Sequence, residues 1–330
     1  MKILFYNTKP YELNYLQAAN QHHYQVKFTT KILSIKTVKE AVGFNAISIF
    51  VDDDASELVL IALHKVGVKY IAIRAAGYNN IATATANKLN IIVANAPKYS
   101  PYAIAEHTVT LLLALNRKII IGNRQMMQNN FTLNQLIGAD IHNKTVGIIG
   151  VGKIGSVVVK IMHGFGCKLL GFDIHKNYTL VHQYHLKYVD ITTLCKHSDI
   201  ICIHTNLTEQ TKYIINKNTI AFMRPNVIII NTSRGACVNT DDIIEALEHN
   251  TIAAFGADVY ENEKGIFFND LSKKPLQDVR LLKLLNHPNV MITPHQAFAT
   301  KEALQNIAST TLYNLECWSN NKHSINEIKK

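Results

Sequence analysis

The chain has 330 residues, 48% hydrophobic and 18% charged, and its 34 Lys and Arg outnumber 24 Asp and Glu for a formal net charge of +10. That composition supports a well-filled core, excludes intrinsic disorder, and gives room for two domains of ordinary size. The lysines are scattered and form no basic run interleaved with aromatics, which argues against a nucleic-acid partner and leaves a solvated surface that favours anionic small ligands.

In chain order, short Ile- and Val-rich runs alternate with amphipathic segments. "ILFY" reads as a strand, "TVKEAV" as a covering helix, "AISIFV" as a strand, "SELVLIALHKVG" as a helix, and "YIAIRA" and "IIVANA" as strands. The longest helical pattern follows, "SPYAIAEHTVTLLLALNRKIIIGNRQMMQ". Pro101 suits its first turn, and its apolar residues fall on more than one side, as expected of a domain hinge or a subunit contact. Then come "TVGIIG", "KLLGFD", "DIICIHT", "NVIIINT", the helix "DDIIEALEHN" capped by Thr240 or Asp241, "AAFGADV" and "NVMITP". Near-continuous apolar strands without strict alternation are covered on both faces, as in parallel sheets with crossover helices. The fold class is therefore α/β.

No apolar stretch reaches the roughly 18 residues of a membrane span, and the opening "MKILFYNTKPYELN" lacks the pattern of a secretory leader. A cytoplasmic protein with no membrane partner is expected. The five cysteines, Cys167, Cys195, Cys202, Cys237 and Cys317, show no two-residue spacing and read as reduced thiols. His22 with His23, and His182 with His185, lack cysteine or carboxylate partners at ligand spacing, so no metal site is expected.

"TVGIIGVGKIG" is the most mechanical motif: a strand runs into Gly150, Gly152 and Gly155 and then into a helix. Such glycines allow a tight turn, backbone approach to a pyrophosphate, and close packing of helix on strand, with the free amides of the helix start facing the phosphates. The next strand ends at Asp173, where a carboxylate accepts from the adenosine ribose and repels a 2′-phosphate. NAD is thus expected rather than NADP.

Three further strand ends carry chemistry. "NVIIINTSRGACV" breaks into Asn231, Thr232, Ser233 and Arg234, "AAFGADVYENE" passes Asp258 to Glu263, and "NVMITPHQAF" ends at His295. In a doubly wound sheet the carboxyl ends of the strands open on the ligand crevice. A protonated imidazole backed by a carboxylate, beside a guanidinium, is what hydride transfer to a 2-ketoacid requires. Phe298 stands where it can close over the substrate side chain.

On the strings "YIAIRAAGYNNI", "YSPYAIAEHT", "GVGKIG", "NTSRGA", "DVYENE" and "TPHQAF", the chain closely resembles the D-2-hydroxyacid dehydrogenase family over nearly its whole length. The resemblance implies a catalytic set of Arg234, Glu263 and His295, with Ala76 and Gly77 binding the substrate carboxylate by backbone amides. It implies cofactor contacts from Lys153 and Ile154 by backbone, Asp173 by carboxylate, Thr205 and Asn206, Thr211, Thr232, Ser233 and Asp258. Asn206, Thr211 and Ala82 depart from the family's usual Pro, Asn and Asp. The implied architecture is two Rossmann-like domains with parallel doubly wound sheets: a discontinuous substrate domain, 1–100 and 299–330, into which an NAD domain, 101–298, is inserted. A homodimer through the NAD domains is implied too. The leading function is reversible NADH-dependent reduction of pyruvate to D-lactate with His295 as proton donor. A bulkier 2-ketoacid is the enzyme alternative, and an NADH-sensing corepressor-like protein the non-enzyme one.

Overall fold

The structure is a computed structural model that describes residues 1–21 and 24–328. His22 and His23, weighed above as metal ligands, lie outside the described residues. The chain divides into two compact units, Met1–Ser100 with Ala299–Lys330, and Pro101–Phe298. Among the described residues no helix is long and apolar enough to cross a membrane, and no cluster of three or more His, Cys, Asp or Glu is placed to hold a metal.

The first unit holds β1 (Lys2–Phe5), β2 (Gln25–Phe28), β3 (Ala46–Ile49), β4 (Tyr70–Ile73) and β5 (Ile92–Ala94), in the order β2-β1-β3-β4-β5, all parallel. The inner strands are near-continuous apolar runs, interrupted only by Lys2 and Ser48, because both faces are covered. Val59, Leu60 and Leu63 of the helix Glu57–Lys65 pack on one face. Leu16 of the helix Pro10–Ala19 and Leu312, Leu315 and Trp318 of the helix Lys301–Ser319 pack on the other. The last helix thus returns the chain to the sheet on which it began. Just past β4, Arg74 is wholly enclosed. It donates to Glu12 Oε2 at 2.9 Å, the Tyr6 carbonyl at 2.8 Å and Ser48 Oγ at 3.1 Å, which satisfies a buried charge and ties down the start of the loop carrying Ala76 and Gly77.

The second unit holds β6 (Thr145–Ile149), β7 (Lys168–Phe172), β8 (Lys187–Tyr188), β9 (Ile200–Ile203), β10 (Val227–Asn231), β11 (Ile252–Ala257) and β12 (Val290–Ile292). They form a seven-stranded sheet in the order β12-β11-β10-β9-β6-β7-β8, parallel at every pairing. The order reverses between β6 and β9, so the topological switch point lies there. All seven strands run the same way. Gly150, Asp173, His204, Thr232, Asp258 and Thr293 therefore follow their strands along a single edge of the sheet.

Three expectations need correction. The long helical pattern is two helices, Pro101–Asn116 and Ile119–Met127, because the chain turns left-handed at Lys118 (φ 52°). The first helix buries Ile104, Val109, Leu111, Leu112 and Leu115, whereas the second buries no residue, so the unmet apolar surface lies beyond the break. "TVKEAV" is only a 3₁₀ turn, Val38–Ala41, too short for a covering helix. The helix Thr240–Glu248 is capped by neither Thr240 nor Asp241: Asn239 accepts from the Asp241 and Asp242 amides. Asn is as good a cap as Asp, and it occupies the last non-helical position.

Candidate active site

The turn after β6 fits a dinucleotide. Gly150 has φ 88°, a conformation L side chains rarely adopt, and a Cβ there would lie 2.7 Å from the backbone of His204 and Thr205. A Cβ on Gly155 would collide with the Gly150 carbonyl, whereas one on Gly152 would meet nothing within 4 Å. The first and third glycines are thus demanded by packing, and the second faces open space where a phosphate can approach. The helix Lys153–Gly164 begins beside it with no side-chain cap, so its first turn, Lys153, Ile154 and Gly155, presents backbone amides where an anion can approach.

Asp173, one residue past β7, accepts from the Val151 amide at 2.6 Å and the His175 amide at 2.8 Å. The carboxylate therefore braces the glycine turn from the side, and each oxygen keeps lone-pair capacity for a ribose hydroxyl. Past β9, the Thr211 hydroxyl donates to the Asn206 carbonyl at 2.6 Å and accepts from the Thr208 amide at 2.7 Å. Thr211 closes this loop on itself, and Thr205 and Asn206 lie at its head. The His204 ring is enclosed, with no hydrogen-bond partner for Nε2, and burial pushes it down to about 3, so it is neutral at ordinary pH.

Beyond β10, Thr232 and Ser233 are buried. Asn231 Oδ1 accepts from the Ser233 amide at 3.1 Å and hydroxyl at 2.8 Å, and Asn231 Nδ2 donates to the Arg234 carbonyl at 2.9 Å. This polar knot fixes the backbone of Arg234. Its guanidinium donates to the Ser233 carbonyl at 2.7 Å and forms no ion pair with a described carboxylate. A Cβ on Gly235 would collide with the Tyr260 and Glu261 backbone, so glycine there lets the Arg234 turn press against the segment leading to Glu263.

Glu263 and His295 meet. Both carboxylate oxygens lie 3.2 Å from His295 Nδ1, and the side chains are 30% and 20% exposed. Because a carboxylate only accepts, Nδ1 carries a proton and Nε2 is the nitrogen left to exchange one. His295 itself is left-handed (φ 55°), with its amide donating to the Thr293 carbonyl at 2.9 Å. Asp258, 1% exposed, explains that path. Its Oδ1 accepts from the Thr293 hydroxyl at 2.6 Å and the Gln296 amide at 2.8 Å, and its Oδ2 from the Ala297 amide at 2.8 Å. Phe298, the next residue, is buried.

The structure thus brings Glu263 and His295 into contact and sets Gly150, Asp173, Thr205, Thr232 and Asp258 along one sheet edge. It shows Asp258, expected at the cofactor, with both oxygens engaged by the loop that carries His295. Ala76 and Gly77 follow β4 in the first unit, where the Ala76 carbonyl accepts from Asn95 Nδ2 at 2.7 Å. Sequence reasoning missed two residues. His107 Nε2 lies 2.9 Å from Thr293 Oγ1; since that hydroxyl's proton goes to Asp258, Nε2 must be the donor. The signal was the His within "AEHT". Gly235, the second, was visible only as the glycine of "SRGA".

Residues 109–297 match the family described as D-isomer specific 2-hydroxyacid dehydrogenase, NAD binding domain. A D-lactate dehydrogenase of Escherichia coli (strain K12) is 41% identical over 99% of this chain and 100% of its own. The solved structure of a pyruvate reductase of Chlamydomonas reinhardtii superposes with a TM-score of 0.92 at 35% identity, covering 98% of this chain and 97% of that one. A D-lactate dehydrogenase with NAD+ from Lactobacillus jensenii superposes with a TM-score of 0.83 at 34% identity, covering 100% of both chains.

Asp258→Asn keeps the size of the side chain but sets an NH₂ against a backbone N–H or the Thr293 hydroxyl. Stability should fall by about 1–3 kcal/mol, the cost of leaving a buried donor unsatisfied, read as a lower denaturant midpoint at unchanged slope. An unchanged midpoint would show that the clamp does not hold this loop.

Proposed function

The chain belongs to the D-isomer-specific 2-hydroxyacid dehydrogenase family, whose enzymes use NAD, and from that premise we propose that it reduces pyruvate to D-lactate, reversibly, with His295 as the proton donor and acceptor. The observation that carries the proposal is the Glu263 carboxylate on His295 Nδ1. The 41% identity to a D-lactate dehydrogenase and the likeness to a pyruvate reductase favour this substrate pair.

Bound NADH supplies the hydride, and the chain's own residues do the rest. Negative charge builds on the substrate carbonyl oxygen as its carbon is reduced. The Arg234 guanidinium has N–H groups left over from the Ser233 carbonyl to polarise that oxygen and hold the substrate carboxylate. The His295 imidazolium gives its Nε2 proton to the oxygen and is left as the Nδ1–H tautomer on Glu263. Oxidation of the hydroxyacid runs the same transfer backwards. The substrate's methyl is assigned to Phe298.

For the cofactor, Gly150, Gly152, Lys153, Ile154 and Gly155 hold the phosphates, and Asp173 the ribose. Thr205, Asn206, Thr211, Thr232 and Ser233, which follow β9 and β10, supply further cofactor contacts together with Asp258, whose oxygens also order the loop after β12. The chain is proposed to act as a homodimer through the unit that carries these residues. Beyond the break at Lys118, Met127, Phe131, Leu133 and Ile137 are between 66% and 81% exposed, an apolar run that a monomer seldom leaves in water.

With NADH, pyruvate should exceed phenylpyruvate in kcat/KM, and chiral analysis should find D-lactate; faster turnover of phenylpyruvate would move the substrate to a bulkier ketoacid. NADPH should be disfavoured by roughly two orders of magnitude, since its 2′-phosphate would face Asp173, and equal use of both cofactors would contradict that placement. His295→Gln should lower kcat by about 10²–10⁴; a rate near the parent's would remove His295 from the reaction. Light scattering on a sizing column should give twice the chain mass, reduced to the monomer by Met127→Glu with Ile137→Glu. A parent protein that already runs as a monomer would refute the dimer.

A further inference from the structure

One turn of chain supplies more to His295 than Glu263. The Glu263 carbonyl accepts from the Ile266 and Phe267 amides, both at 2.9 Å, Gly265 takes φ 79° and Phe268 takes φ 63°. Asn269 Nδ2 then donates to the Phe267 carbonyl at 2.9 Å. Phe267 turns into the core against Tyr260, with ring centroids 6.5 Å apart. Phe268 turns the other way, onto His295, with ring centroids 5.5 Å apart and planes at 39°.

A bulky residue with positive φ is unfavourable backbone, kept only where the surroundings over-determine it. Here the effect of that backbone is to bring a second side chain from the Glu263 turn against the same imidazole. Glu263 grips the edge at Nδ1 but leaves the ring free to swing about that contact. An aromatic side chain packed against the ring removes the remaining freedom without competing for either nitrogen.

We propose that Phe268 is a positioning residue for His295, holding the imidazole so that Nε2 keeps its direction while Nδ1 stays on Glu263. The inference rests on His295 being the proton donor. It does not require Phe268 to touch the substrate or the cofactor.

The test compares Phe268→Leu and Phe268→Tyr in the full-length protein, with pyruvate and NADH as probes. Leu keeps apolar volume and loses the flat ring, so kcat should fall roughly ten- to a hundred-fold, the scale of a misplaced catalytic group. KM for pyruvate and the NADH dissociation constant from fluorescence should stay near the parent's. Tyr should restore most of kcat. Independently of turnover, the ring-current shift of the His295 Hε1 proton in the NMR spectrum should vanish in the Leu variant and persist in the Tyr variant. If the Leu variant does not fold, Phe268→Met carries the same expectations. A folded Leu or Met variant with parental kcat would overturn the proposal, as would a Tyr variant as slow as Leu, or a loss confined to KM. If His295→Gln itself keeps its activity, the underlying reading of His295 fails; if His295→Gln is inactive and Phe268→Leu is not, only the role of Phe268 fails.

Discussion

A carboxylate taken out of water must be met by donors, and Asp258, at the end of β11, meets that requirement with one short stretch of the neighbouring strand's continuation. The Thr293 hydroxyl and the Gln296 and Ala297 amides converge on its two oxygens. Once those three donors are committed, the intervening residues have little choice of path. Pro294 cannot donate, and His295 is left to span the gap in a left-handed conformation. Its ring is then delivered to Glu263 and not to Asp258. The desolvation cost of one buried charge thus becomes the geometry of the imidazole.

Two carboxylates five residues apart consequently do different work because their surroundings differ. Asp258 is enclosed and spends its oxygens on backbone and hydroxyl donors, so it shapes the loop. Glu263 keeps contact with solvent and turns both oxygens to one imidazole, with only the distant Tyr260 amide, 3.5 Å from Oε2, as a further donor. Arg234 completes the contrast: its turn is fixed by the Asn231 knot and by the close approach at Gly235, yet no described carboxylate neutralises it. A cation held in place without an internal counter-charge is prepared for an anionic ligand. The neutral, enclosed His204 adds no second positive charge.

Much of this was legible in the sequence where hydrophobic pattern and chemistry coincide. The nine strands named up to "AAFGADV" were readable because strands covered on both faces have no polar alternation to confuse the pattern. The glycines after β6 were readable because each does a different steric job. β2 and β8 escaped because exposed Gln25, Lys27 and Lys187 break up their apolar pattern. The break at Lys118 escaped because a left-handed lysine leaves no mark on apolar spacing. The fully buried Arg74, paired with Glu12 across 62 positions, and the His107–Thr293–Asp258 relay are long-range pairings that no local periodicity records. Asp258 was legible as a strand-end acid, but the donors that occupy it were not.

The central claim is that Glu263 acts through His295, and a double-mutant cycle on kcat for pyruvate reduction tests it most directly. A deuterium isotope effect from labelled NADH first establishes that chemistry limits the rate. In the parent background Glu263→Gln should lower kcat well below the parental value. In the His295→Gln background the same substitution should change the residual rate by no more than about two-fold, because the group it served is gone. Losses that multiply, with Glu263→Gln costing as much without His295 as with it, would contradict the account and give Glu263 a role of its own.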